Sequence, residues 1–461
     1  MGLSTYEKWK DTGIEWPKSI PEHWELLQFR YLFNFGRGLG ITKSNLQDEG
    51  IPCINYGEIH SKFGFEVDPA RHDLKCVDQV YLETGERSLL KHGDFVFADT
   101  SEDIEGSGNF SYLNSDTPTF AGYHTVVAKP VTNNDARFLA YLIDAQIFRS
   151  QIRKNVSGVK VFSITQDILK NCNAWLPPED EQKKIVDFLD RKTRKIDQLI
   201  EKKKALIEKL DEQRIAVITQ VVTKGINENA KLKPSGIEWL GDIPEHWDIK
   251  KLRHIFTFGR GLGITKSNLK DEGIPCINYG EIHSKYGFEV VPEIHELKCV
   301  DQKHLETGGN SLLKHGDFVF ADTSEDIEGS GNFSYLNSES PTFAGYHTVV
   351  AKPEFSISSR FLAYLFDSQL FRYQIRKNVS GVKVFSITHG ILKNCIAWLP
   401  PIDEQEKIVH YLDALLKKSA QMKRLNIKTI ERLNEYRSAL ITSAVTGNID
   451  VRKFSYKKSV D

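Results

Sequence analysis

The chain has 461 residues, 40% of them apolar and 27% charged, and a formal net charge of −1. That length calls for more than one domain and that composition for packed cores rather than a disordered chain. A balance so close to neutral excludes a protein that coats nucleic acid nonspecifically through a uniformly basic surface, while leaving room for a local basic groove. No apolar run approaches the ~20 residues of a bilayer span. The opening Met-Gly-Leu-Ser-Thr-Tyr has neither a secretory apolar core nor the Ser or Thr at position 6 that a myristoylation signal needs. Six cysteines at 53, 76, 172, 276, 299 and 395 form no C-x-x-C pair; reduced thiols in a cytoplasmic protein are expected.

Taken in chain order, the first elements are short. "IPCINYG" at Ile51, "DFVFAD" at Asp94 and "HTVVAKP" at His124 are apolar runs bounded by Gly, Pro and Asp, and predict strands. "RFLAYLIDAQIFRSQI" from Arg137 has apolar residues at helical spacing. After Pro177-Pro178 the chain carries no Gly or Pro for about 44 residues. It opens with acids, as a helix N-terminus does, and steps of four and three visit Ile185, Leu189, Lys192, Ile196, Leu199, Lys203, Leu206, Leu210, Gln213 and Val217. Seven of these ten are apolar, which predicts a coiled-coil seam. Then everything repeats. Adding 223 to a landmark finds it again, without gaps: "IPEHW" at Ile20 and Ile243, "GDFVFAD" at Gly93 and Gly316, "FGRGLGITKSNL" at Phe35 and Phe258. A period this long is no solenoid.

The predicted class is therefore α+β: a mixed module at 1–178, a long helix at 179–226, a second module at 227–401, a second helix at 402–450 and a tail at 451–461. The two helices are expected to lie antiparallel as a coiled coil with pseudo-two-fold symmetry, a rod of fixed length joining two modules. Frequent polar residues in the second seam, from Ile408 to Leu440, suit helices that also pack against other proteins. Between Phe35 and Val67 only Gln47/Lys270 and Phe63/Tyr286 differ, and between Ser88 and Pro130 only Asp116/Glu339 and Thr117/Ser340, whereas the helices have drifted. Near-identity that includes surface residues suggests that both modules do one job; a recent duplication would leave the same trace.

Three stretches offer chemistry. "GRGLG" is not a dinucleotide loop, because no helix-length pattern follows it, and no G-x-x-x-x-G-K-[ST] occurs. It is either a tight loop between elements or one that brings amides, Arg37, Lys43, Ser44 and Asn45 to a phosphate chain. "ADTSEDIEGSGNF" from Ala98 is an acidic surface loop, a reader of base edges, or a metal-dependent site; its carboxylates lack the spacing of a calcium loop. "RKNVSGVKVFSIT" from Arg153 is a solvated basic turn or a phosphate-contacting loop. Tyr123-His124, after a glycine, suits a packed histidine better than a catalytic one. No motif for S-adenosylmethionine appears.

The combination of "GIEW…IPEHW", "GDFVFAD", "WLPPEDEQKKIVDFLD" with "WLPPIDEQEKIVHYLD", and the closing "ALITSAVTGNID" resembles the specificity subunits of type I restriction–modification systems along the whole chain. The first helix departs from that ending with "QVVTKGI". The resemblance implies a non-catalytic subunit with two target-recognition domains that read a bipartite site on double-stranded DNA. It also implies two modification subunits that bring S-adenosylmethionine, and two restriction subunits that bring ATP and Mg; this chain would hold no cofactor and meet no membrane. The residues expected to meet DNA are Arg37, Lys43, Ser44, Asn45, Asn55, Tyr56, Asp99, Thr100, Ser101, Ser107, Asn109, Tyr123, His124, Lys154, Asn155, Ser157 and Lys160. Their copies are Arg260, Lys266, Ser267, Asn268, Asn278, Tyr279, Asp322, Thr323, Ser324, Ser330, Asn332, Tyr346, His347, Lys377, Asn378, Ser380 and Lys383. The competing readings are an assembly scaffold that binds no DNA, and a nuclease using the Asp99–Glu105 loop.

Overall fold

The computed structural model describes residues 4–158, 160–354, 356–381, 383–452 and 454. The tail expected at 451–461 lies outside them except for Val451, Arg452 and Phe454. The chain forms two compact units: Met1–Lys203 with Lys428–Asp461, and Lys204–Ile427. Each contains one complete mixed α/β module and parts of both long helices, Glu179–Lys224 and Ile402–Val445. No helix among the described residues is long and apolar enough to cross a membrane.

In the first unit a five-stranded sheet runs in the order Phe33–Arg37, Thr125–Pro130, Phe95–Ala98, Phe110–Leu113, Phe65–Val67. Its last pairing is parallel and the others antiparallel. The central strand explains why "DFVFAD" is apolar without alternation. Phe95 and Phe97 enter the main core, Val96 and Ala98 a smaller core on the opposite face, and all four are fully buried. A four-stranded sheet built on Ile51–Ile54 and Thr119–Ala121 lies alongside. The second unit repeats both sheets strand for strand.

The helical stretch expected from Arg137 is two helices, Ala136–Asp144 and Gln146–Asn155, with Ala145 extended between them. In the repeat, Ser368 holds that break, its hydroxyl accepting the Phe371 N–H and donating to Leu365 O. The break lets both pieces bury apolar faces in the same core.

Signature motifs at the helix starts are fasteners. Gln182 is buried: its amide donates to Pro177 O (2.9 Å) and Asn134 Oδ1 (2.6 Å), and its Oε1 accepts the Asp135 N–H (2.9 Å). Gln405 repeats the bonds to Pro400 O and the Ser358 N–H. Glu181, also buried, gathers the indole of Trp24 (3.0 Å), His23 (2.8 Å) and the Tyr6 hydroxyl, so "EHW" and "DEQ" are halves of one joint.

Within each unit the helices run antiparallel. In the first, Trp175 Nε1 donates to Val445 O and Arg437 Nε to Asp197 Oδ1, so one helix rises as the other descends. In the second, Trp398 Nε1 donates to Val222 O and Lys423 Nζ to Asp211 Oδ2. The buried seam departs from the expected one. Thr193 and Ile200 are buried where Lys192 and Leu199 were expected, and Leu199 is 41% exposed. A helix near 3.6 residues per turn drifts from a strict heptad, and here it must also face its module. Both helices end on a left-handed glycine. Gly225 (φ 75°) aligns with Asn448, whereas the second cap is Gly447 (φ 79°), so the "KGI" ending moves the cap by one residue.

Candidate nucleic-acid interface

The loops that carry the candidate residues meet at one edge of each module. Strand Phe33–Arg37 ends with exposed Arg37 and turns through Gly38. Only Gly38 of the three glycines is required by packing: a Cβ there would lie 1.9 Å from Gly122 O, whereas one at Gly40 would meet open space. The amides of Gly38 and Leu39 are spent on Thr125 O and Ala121 O, which makes the glycine run a close-packed crossing. Beyond it, Lys43–Asn45 form one 3-10 turn whose Asn45 Oδ1 accepts from Thr42 N (2.9 Å) and Oγ1 (3.1 Å). The turn presents Lys43 and Ser44 to solvent.

The acidic loop and the basic loop, distant in sequence, pair as strands, Thr100 with Ser163 and Ser101 with Phe162. Beside them Arg37, Asp99, Thr100, Tyr123 and His124 line one cleft with Thr165, Gln166 and Asp167. His124 adopts φ +54°, a left-handed backbone that a non-glycine residue enters only under constraint. Its imidazole is exposed, with Nδ1 3.3 Å from Asp99 Oδ1, and that carboxylate oxygen is buried without a hydrogen bond. Rings of Tyr56 and Tyr123 stand 5.4 and 5.9 Å from the imidazole and 5.6 Å from each other. Burial raises the Tyr123 hydroxyl above its usual range, so it stays a neutral donor and acceptor.

The copy is close to superposable in its internal geometry. His347 has φ +54° and lies 3.3 Å from Asp322; Tyr279 sits 5.4 Å from it and 5.7 Å from Tyr346. In this unit three concavities share residues. Lys266, Asn278, Tyr279 and Tyr346 line one, Tyr279, Thr323, Ser324 and Asn332 a second, and Arg260, Thr323, Asp322 and His347 a third. Tyr279 and Thr323, each shared by two of them, join the three along one module.

Other candidates are committed within the fold. Asn55 and Asn278 are buried caps of the helices Tyr56–Ser61 and Tyr279–Ser284. Ser101, Ser107, Ser324 and Ser330 are buried; Ser101 donates to Asp103 O and Ser330 to Asp326 O. Asn109 is held between His60 Nδ1 (2.9 Å) and Arg149 Nη1 (2.7 Å), and Asn332 likewise between His283 and Arg372. Asn155 and Asn378 bond to carbonyls within their own helical turns, and Ser157 and Ser380 bridge Ser163 and Ser386. Lys154 pairs with Glu15 over the Trp16 ring, away from the cleft. Lys160, Lys377, Lys383 and Ser267 are exposed, and Asn268 caps its turn as Asn45 does.

Two kinds of residue escaped the sequence reading. His60 donates through Nε2 to Thr100 O (2.8 Å), a carbonyl that can only accept, so its Nδ1 is the acceptor for Asn109. The pair shapes the acidic loop. Gln166 Nε2 donates to Gly36 O (3.0 Å), tying the cleft wall to its floor. Nothing in a single sequence distinguishes these from surface polar residues. Two further contacts hold the acidic loop: Asp103 Oδ1 accepts the Gly106 N–H within it, and Glu105 pairs with Arg153 of the helix Gln146–Asn155 at 3.0 Å. Among the described residues no three His, Cys, Asp or Glu side chains gather as a metal site.

The family model for the type I restriction modification DNA specificity domain matches residues 21–209 and 244–432, two segments offset by the same 223 residues. Over 459 residues, 97% of either chain, the protein is 24% identical to the putative type I restriction enzyme MjaX specificity subunit of Methanocaldococcus jannaschii. It is 25% identical to the MjaVIII specificity subunit of the same organism over 70% of this chain and 72% of that one. It is 21% identical to the EcoKI specificity subunit of Escherichia coli over 93% and 90%. A solved chain described for complex assembly and conformational transition of the type I R-M system shares the fold, with a TM-score of 0.67 at 16% identity, over 94% of this chain and 100% of that one. The protein belongs to the type I restriction modification DNA specificity family, carries that domain twice, and is a recognition subunit rather than a catalytic one.

Proposed function

We propose that each module reads one half of a bipartite DNA target through the edge built on Arg37, Tyr56, Asp99, Tyr123 and His124 and their copies. The observation that carries this is the repetition of one cleft: the same left-handed histidine, the same 3.3 Å carboxylate contact, the same pair of tyrosines. Arginine and lysine suit phosphates and guanine edges, an exposed histidine beside a carboxylate offers a donor or acceptor to a base edge, and tyrosines supply flat apolar surface. Equal readers imply equal half-sites, so the target is an interrupted palindrome. Two modification subunits, bringing S-adenosylmethionine, dock on the helices, where Met422, Leu425 and Tyr436 are exposed. They methylate adenine, and restriction subunits with ATP and Mg complete the system. No step of that chemistry falls to this chain.

A genome-wide N6-methyladenine map, made with the chain co-expressed beside its modification subunits, tests the reading. A single interrupted palindrome is expected. Two unrelated half-sites would refute the symmetry, and an assembled complex that adds no methylation would favour a scaffold.

A further inference from the structure

The two clefts are not the same in charge. Where both linings are matched through the 223-residue offset, they differ at two positions: Gln166 and Asp167 in the first, His389 and Gly390 in the second. The first exchange preserves its bond, since His389 Nε2 reaches Gly259 O at 3.0 Å just as Gln166 Nε2 reaches Gly36 O. The second removes a charge. Asp167 opens the helix Gln166–Asn171, is 87% exposed, and stands 3.8 Å from Lys170 Nζ. Gly390 takes its place, while Lys393 retains the lysine. The guanidinium, the histidine and its carboxylate partner are common to both linings. The second cleft is thus one unit charge more positive at its rim, where a phosphate chain would run.

We propose that the two modules read one half-site sequence with unequal grip, the second holding its half more tightly, and that the Asp167/Gly390 difference sets the inequality. The proposal rests on the DNA-reading function above. A carboxylate about 10 Å from a phosphate in a solvated groove weakens binding about two- to fivefold. On DNA with a single half-site, the second module then occupies it about two to five times as often as the first.

The test uses the full chain assembled with its modification subunits. The probe is a duplex carrying one half of the methylated target, set against the same duplex with that half scrambled. H124A blocks the first module and H347A the second. The H124A complex is expected to bind the half-site duplex about two- to fivefold more tightly than the H347A complex, with the gap narrowing as salt rises. Adding D167G to H347A is expected to close the gap, and G390D added to H124A to abolish it from the other side. Equal affinities of H124A and H347A, or a gap that neither rim substitution changes, would overturn the proposal. If the unsubstituted complex fails to prefer the half-site over scrambled DNA, the reading function fails as well, a result distinct from equal grip.

Discussion

His124 and His347 hold a left-handed backbone, an exposed ring and a carboxylate neighbour. Such strain, of order 1 kcal/mol, persists only where the surroundings impose it. Replacing both with alanine is expected to remove target-specific methylation with no loss of thermal stability; a variant that unfolds early would show them to be packing residues. Glycines divide more sharply. Gly38→Ala forces a Cβ to 1.9 Å from Gly122 O and should cost about 3 kcal/mol or prevent folding, whereas Gly40→Ala meets open space and should change stability by less than about 0.5 kcal/mol. Urea unfolding of the two variants compares them directly. Cysteines need no redox role: all six are buried, and burial pushes the Cys172, Cys276 and Cys395 thiols up to about 12. Below pH 9 a thiol reagent should modify the native chain slowly and the unfolded chain at once.

A module is fastened to its helix by a half-buried polar knot. Arg137 donates to Asp190 Oδ1 (2.7 Å), Glu66 Oε2 (2.5 Å) and the Tyr112 hydroxyl (2.7 Å), and Tyr141 also reaches Asp190 (2.6 Å). Arg360, Asp413, Glu289, Tyr335 and Tyr364 repeat it. Removing Arg137 leaves half-buried carboxylates without their partner, so Arg137→Met should cost about 1–2 kcal/mol, less than a fully buried pair because water reaches the cluster. The knot also predicts acid sensitivity. Burial alone would raise the Glu66 carboxyl, but bonds from Asn114 and Arg137 outweigh it and hold the group below its ordinary 4.5. A depressed carboxyl contributes stability that is present above the unfolded value and lost as pH falls through the folded one. The melting temperature should therefore drop on going from pH 5 towards pH 3, and drop less in Arg137→Met. Asp190 was visible in the sequence only as a polar residue in "VDFLD". Its role depends on a helix 50 residues away in the chain, which no local pattern encodes.

At the scale of the whole chain, each long helix contributes its first part to one compact unit and its remainder to the other. If continuous helices set the distance between half-sites, inserting four residues into both, about 6 Å of rise, should lengthen the nonspecific spacer of the methylated target by about 2 base pairs. An active variant with the original spacer would refute the idea. That test reads geometry, whereas the methylation map reads symmetry, so each can fail alone.

The repeat, the two modules, the long helices and the family were legible in the residues themselves. Duplication is a property of sequence, and helix length and buried strands leave periodic apolar patterns. The loops proposed to face DNA were singled out in the sequence because Arg, Lys, Tyr and His beside glycine turns stand out locally. Which of those loops share a cleft was decided only by folding: Thr100 pairs with Ser163 across 62 intervening residues, and Asn55 and Ser101 turn inward because buried polar atoms must find partners. The compact units, too, join a module to the end of a helix that lies more than 200 residues away. Sequence pattern records what a segment buries; tertiary structure decides what it is buried against.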